Sequence, residues 1–168
     1  NFQTLLQNAC IWRGDGFSSP HNIFLESKGN DLDLTPYLYK LPEEFKSLHS
    51  FFQGLGCNKE QNADVFLKTQ VIIKEKYKSG KHSDVDVKRD LSILISILNR
   101  LRQERSKLQD RLHEILFPIH CSDESVLVLK PGSECTYCDA QWLREMASEE
   151  TGEENIYYVH EDVSNTTA

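Results

Sequence analysis

Hydrophobic positions in the middle of the chain recur with the 3.6-residue period of a helix, whereas near both ends they alternate or cluster as strands do. The opening reads as a β-hairpin. Ala9-Cys10-Ile11-Trp12 is extended, Arg13-Gly14-Asp15-Gly16 carries turn chemistry, Phe17 follows, and a second extended run spans Asn22 to Glu26. Residues 27–35 are mostly polar, with Gly29, Asn30 and two aspartates, and read as a loop before Pro36-Tyr37-Leu38-Tyr39. Pro42 then starts a helix with Glu43 and Glu44 at its positive end. Phe45, Leu48, Phe51 and Phe52 form its apolar face, and Gly54 and Gly56 stop it. Asn62 can cap the next helix, in which Val65, Phe66, Thr69, Ile72, Ile73 and Tyr77 share helical spacing up to Ser79-Gly80.

After a linker at Lys81, His82 and Ser83 comes the longest pattern. Leu91, Leu94, Leu98, Leu101, Leu108, Leu112 and Ile115 occupy three- and four-residue steps, broken only at Arg105. This predicts one continuous helix from Asp84 to His113, ~45 Å long at the standard rise, with a seam for a neighbouring helix. Pro118 forbids continuation, so Leu116 to His120 reads as an edge strand. Ser122 to Ser125 supplies a turn and Val126 to Leu129 the returning strand. A short helix over 139–147 carries Trp142, Leu143 and Met146 and is capped by Asp139. A last strand covers Ile156 to His160, and Ser164 to Ala168 begins a further helix.

The predicted class is α+β and helix-dominated, with four to five helices, an N-terminal β-hairpin, a second hairpin near 116–130 and a C-terminal strand. The expected core contains Trp12, Phe17, Leu38, Phe45, Leu48, Phe52, Phe66, Ile73, Leu91, Leu94, Leu98, Trp142 and Val159.

At 168 residues the length suits a single domain, 1–168, with a self-sufficient core. The opening Asn1, without a signal-like start, reads as a piece cut from a longer polypeptide. No apolar run is long enough to span a membrane. A net charge of -7 argues against nucleic-acid partners. From Glu145 onward there are seven acids and no Lys or Arg, so 145–155 reads as a flexible acidic loop.

Candidate chemistry is sparse. Five cysteines without framework spacing read as reduced thiols in a cytoplasmic protein. Cys135 and Cys138 form a CxxC, which could hold zinc with Cys121, His120 or His160, or could be two half-buried thiols beside a helix cap. A redox CxxC would sit in a thioredoxin-like unit, which the element order lacks. Gly14 and Gly16 suit a hairpin turn better than a phosphate loop, because no phosphate-binding glycine motif is present and no helix starts there. The histidines lack metalloprotease spacing. These readings predict no enzyme, no cofactor and no resident metal.

Two ordered series of residues nevertheless form a specific pattern. The first is Trp12-x-Gly14-x-x-Phe17-x-x-Pro20-x-x-Ile23, followed by Asp33-Leu34-x-Pro36-Tyr37-Leu38-x-x-Leu41-Pro42. The second is Leu129-x-Pro131, Cys135-x-Tyr137-x-Asp139-x-x-Trp142-Leu143, Tyr158-Val159-His160 and Asn165-Thr166-Thr167-Ala168. Together they resemble the latter part of the long internal repeats of the sacsin family. The resemblance implies a segment of a giant cytosolic co-chaperone whose repeats begin with a histidine-kinase and gyrase-type ATPase module. It further implies links to the proteasome, the seventy-kilodalton chaperone machinery and intermediate-filament organisation. The nucleotide-binding motifs of that ATPase do not occur here, so the segment is expected to be a linker and scaffold between neighbouring ATPase-like modules. The alternative is a client- or filament-binding surface in its own right, using apolar positions left exposed around Leu101, Leu108 and Leu112. A zinc module at Cys135 and Cys138 ranks third.

Overall fold

The computed structural model describes residues 10–119, 121, 123, 125–136, 157–160 and 162–163. The expected helix over 139–147, the acidic loop over 145–155, the start of a helix at 164–168, and Trp142 and Cys138 lie outside the described residues. The fold is α+β. The chain divides into two compact units, Asn1–Thr69 and Gln70–Ala168.

In the first unit, β1 (Ile11–Trp12) and β2 (Phe17–Ser18) form the expected opening hairpin, paired Ile11 to Ser18 and Trp12 to Phe17. Gly14, at φ 103, supplies the left-handed residue of the turn, which the Arg13 N–H closes by donating to the Gly16 carbonyl at 2.9 Å. The hairpin is tighter than expected. The run after Asn22 does not return onto β1: β3 (Ile23–Phe24) pairs in parallel with β4 (Tyr39–Lys40), and Phe24 also bridges Asn58. Alternation decides the fate of the aromatics. Ile11 and Ser18 point inward, so their neighbours Trp12 and Phe17 share the outer face, 46% and 60% exposed, with ring centroids 5.1 Å apart. Both were expected in the core.

The Pro42 helix begins instead as a 3-10 turn, Glu43–Leu48, and becomes α-helical only in α1 (His49–Gly54). The tighter winding moves Leu48 and Phe51 off the buried face, and they stay exposed, whereas Phe52 is buried and Phe45 half-buried. Phe52 joins Ile11, Ile23, Leu25, Leu41 and Cys57 in the core of this unit. Burial, and secondarily the nearby Cys10, pushes the Cys57 thiol up to about 11 from its ordinary 9.0. The folded state therefore holds this proton more tightly than the unfolded one. The resulting stability is complete below pH 9 and is lost as pH rises toward 11. Chemical denaturation across that window should show a shallower alkaline loss in Cys57→Ala than in the parent chain.

The helix α2 (Ala63–Tyr77) starts as predicted, with the Asn62 side chain accepting from the Val65 N–H at 3.1 Å. Its later turns belong to the second unit, where Gln70 is fully buried. Its amide donates to the Leu116 carbonyl at 2.9 Å and accepts from the Leu116 N–H at 3.1 Å, so one side chain satisfies both backbone groups of a strand residue. Removing it orphans both. Gln70→Ala should destabilise by about 2 kcal/mol in urea titration, whereas a loss below about 0.5 kcal/mol would mean that water replaces the amide.

The helix α3 (Asp84–Gln103) is capped by Ser83, whose hydroxyl accepts from the Asp86 N–H. Its buried residues are Val87, Asp90, Leu91, Ile93, Leu94, Ile97 and Leu101. The expected helix to His113 does not form: α3 ends at Gln103 and gives way to 3-10 turns at Arg105–Lys107 and Gln109–Glu114. Residues 102–107 are all polar. Continued helix there would bury no apolar surface, and packing of Leu108 prevails over helical continuity. Strands β5 (Leu116–Ile119) and β6 (Val128–Pro131) form the expected second hairpin. The Pro118 carbonyl accepts from the His160 N–H at 2.8 Å. β7 (Cys135–Thr136) pairs in parallel with β8 (Tyr157–Tyr158), and Val159 bridges Ile119.

Candidate docking cavity

A cavity of about 550 Å³ opens within the second unit, a size common among ligand-binding clefts. One wall is a second stripe of α3, Ile95, Leu98, Asn99 and Arg102, spaced i, i+3, i+4 and i+7, so Leu98, expected in the seam and core, is half-buried at the cavity instead. Leu112, from the last 3-10 turn, and Ile115 and Phe117, from the start of the β5 hairpin, form the other. Gly132 completes the floor beside Phe117. A Cβ on Gly132 would come within 3.0 Å of that ring, so the ring position depends on the absence of a side chain there.

The rim is cationic. Arg102 and Arg105 are exposed and line the cavity, and neither forms an ion pair among the described residues. The nearby Arg111 is already committed: its guanidinium donates to both carboxylate oxygens of Glu114, at 2.7 and 2.9 Å. That hydrogen bonding holds the Glu114 carboxyl below its usual range. His113, Asn99 and Ser133 add hydrogen-bonding capacity.

The structure separates the three leucines singled out in the sequence. Leu101 and Leu108 are each 2% exposed, which corrects the expectation that they remain open, although buried Leu101 still borders the cavity. Leu112 is 39% exposed and faces the cavity. Ile95, Arg102 and Phe117 carried no assigned role in the sequence reading. The second helical stripe at 95, 98, 99 and 102 was the signal for the first two; nothing local marks Phe117.

Cys135 donates its thiol to the Pro131 carbonyl at 3.2 Å, and burial, then Glu134, raises its pKa, with Lys130 opposing. Cys121 donates to the Ile119 carbonyl, and burial raises its pKa as well. Cys138 and His120, two of the candidate zinc ligands, lie outside the described residues. Among the described residues no three His, Cys, Asp or Glu side chains converge as a metal site. Gly14 and Gly16 sit in the hairpin turn, not at a helix start. No helix among the described residues is long and apolar enough to cross a membrane.

No protein-family profile matches the chain, and no solved structure does. Human sacsin is 32% identical to it over 162 residues, covering 94% of this chain. This chain is sacsin-related. It spans 3% of the length of sacsin, so the likeness concerns one short region of a very long protein.

Proposed function

We propose that this chain is a noncatalytic interaction module of a sacsin-like co-chaperone, and that it docks protein segments in the cavity beside α3. The observation that carries the reading is an open cavity with apolar walls, in which Leu112 stays exposed beside two arginines that form no ion pair among the described residues. An unfilled apolar surface rimmed by polar groups is the ordinary signature of an interaction site. In the sacsin setting the module would lie among ATPase-like neighbours of the same chain in the cytoplasm. The chaperone machinery, the proteasome, clients and intermediate-filament proteins are the partners this proposal names. The geometry favours a docking surface over a passive linker, because a linker has no use for an unfilled apolar cleft.

Peptide display with the 168-residue chain as bait tests the docking role. Peptides with bulky apolar side chains should be enriched on the parent and lost on Leu112→Glu, with an unchanged urea midpoint showing that the variant is folded. Enrichment indifferent to Leu112→Glu would refute the site. The noncatalytic part is tested by calorimetry with magnesium-ATP, which should give no binding heat at millimolar nucleotide. Cradling a triphosphate needs a glycine turn at a helix start and groups for the metal, and the glycine pair here serves a hairpin. Saturable binding would overturn that part.

A further inference from the structure

We infer that the cavity beside α3 selects an acidic amphipathic peptide segment, one that places bulky apolar side chains next to carboxylates. This rests on the docking reading and adds the chemical class of the ligand. The walls supply the apolar part of the recognition. The α3 stripe presents Ile95 and Leu98 one turn apart, and Leu112 and Phe117 face it, which suits two or three large side chains from one face of an incoming helix.

Charge supplies the rest. The chain carries a net charge of -7, so an acidic partner is repelled by most of the molecule. Yet at this rim Arg102 and Arg105 are exposed and form no ion pair among the described residues. Several cations elsewhere are already committed to carboxylates: Lys28 to Glu60, Lys40 to Glu43, Lys76 to Asp90, Lys81 to Asp123, Lys130 to Glu134. Arg102 and Arg105 have no such partner among the described residues, although Glu114 is near enough in sequence to serve and bonds Arg111 instead. Two free guanidiniums beside an apolar cleft can each take a carboxylate in a forked pair. A peptide is favoured over a fatty acid because the lining also holds Asn99 and Ser133. Those amide and hydroxyl groups match a peptide backbone or polar side chain, whereas an acyl tail offers them nothing.

The test uses fluorescence polarisation with two synthetic twelve-residue peptides. Both have leucines at positions one, four and eight; one has glutamates at five, nine and twelve, and the other glutamines at those places. The glutamate peptide should bind the parent chain, and its affinity should fall as salt is raised. Arg102→Ala and Arg105→Ala should each raise its Kd about fivefold at low salt while leaving the glutamine peptide unchanged. Leu112→Glu should abolish both. Equal binding of the two peptides, lost in Leu112→Glu, would overturn the acidic preference and leave the docking site standing. Failure of both peptides together with failure of the display selection would remove the docking site itself. Binding of dodecanoate but of neither peptide would reassign the cavity to a lipid and overturn the inference. So would a sedimenting dimer of the chain dispersed by Leu112→Glu, because the occupant would then be a second copy.

Discussion

Replacing Asp90 by alanine should lower the unfolding free energy by about 3 kcal/mol, the loss expected when one member of a buried charge pair is removed. Asp90 is fully buried, yet it sits on the seam of α3 where an apolar residue would be expected. Three donors converge on its carboxylate. Lys76 Nζ lies 2.7 Å and the Tyr77 hydroxyl 3.1 Å from Oδ2, and Arg89 Nε lies 3.0 Å from Oδ1. Lys76 and Tyr77 close α2 and Asp90 lies in the second turn of α3, so the carboxylate ties the two helices across the linker at 81–83. Without it, Lys76 and Arg89 can turn toward water, since they retain 24% and 38% side-chain exposure. Tyr77, at 7%, cannot. This partial escape places the estimate at the lower end of the usual range for such deletions. Tyr77→Phe should lose only about 1 kcal/mol, the net worth of one hydrogen bond. Urea denaturation of the three proteins checks both figures, and an Asp90→Ala midpoint equal to that of the parent would show that the network contributes nothing net.

Leu94→Ala should produce a loss of similar size, about 3 kcal/mol, because the side chain is fully buried and its removal leaves a closed void. Leu98→Ala, one turn further on, is expected to lose only about 1 kcal/mol. Leu98 is half-buried and already borders an open cavity, so truncation widens a space that water can enter and creates no sealed void. The sequence pattern treats these two leucines as equivalent members of one seam. A matched pair of denaturation curves with equal losses would contradict the separation of seam from cavity wall, and with it the placement of the docking site.

Local chemistry determined much of this protein from the sequence alone. The Asp-Gly hairpin at the start, the Asn62 cap, the break between α2 and α3, the halt at Pro118 and the return through Val126 to Leu129 each depend on residues a few positions apart. Such signals are complete within the sequence window that carries them. The sacsin resemblance was equally legible, because an ordered series of residue types survives as a series whatever the packing. Tertiary structure decided the faces and the ends. Period-2 alternation cannot say which face of a two-residue strand is buried, and the core chose Ile11 over Trp12. No local breaker ends α3; the polar run at 102–107 leaves the helix without packing, and the burial of Leu108 turns the chain. Gln70 and Asp90 look like surface residues until a strand and two helix ends are brought to them. The cavity belongs to the same class: its walls come from α3, a 3-10 turn and β5, and only long-range packing sets Leu112 across from Ile95 while drawing Leu101 and Leu108 inside.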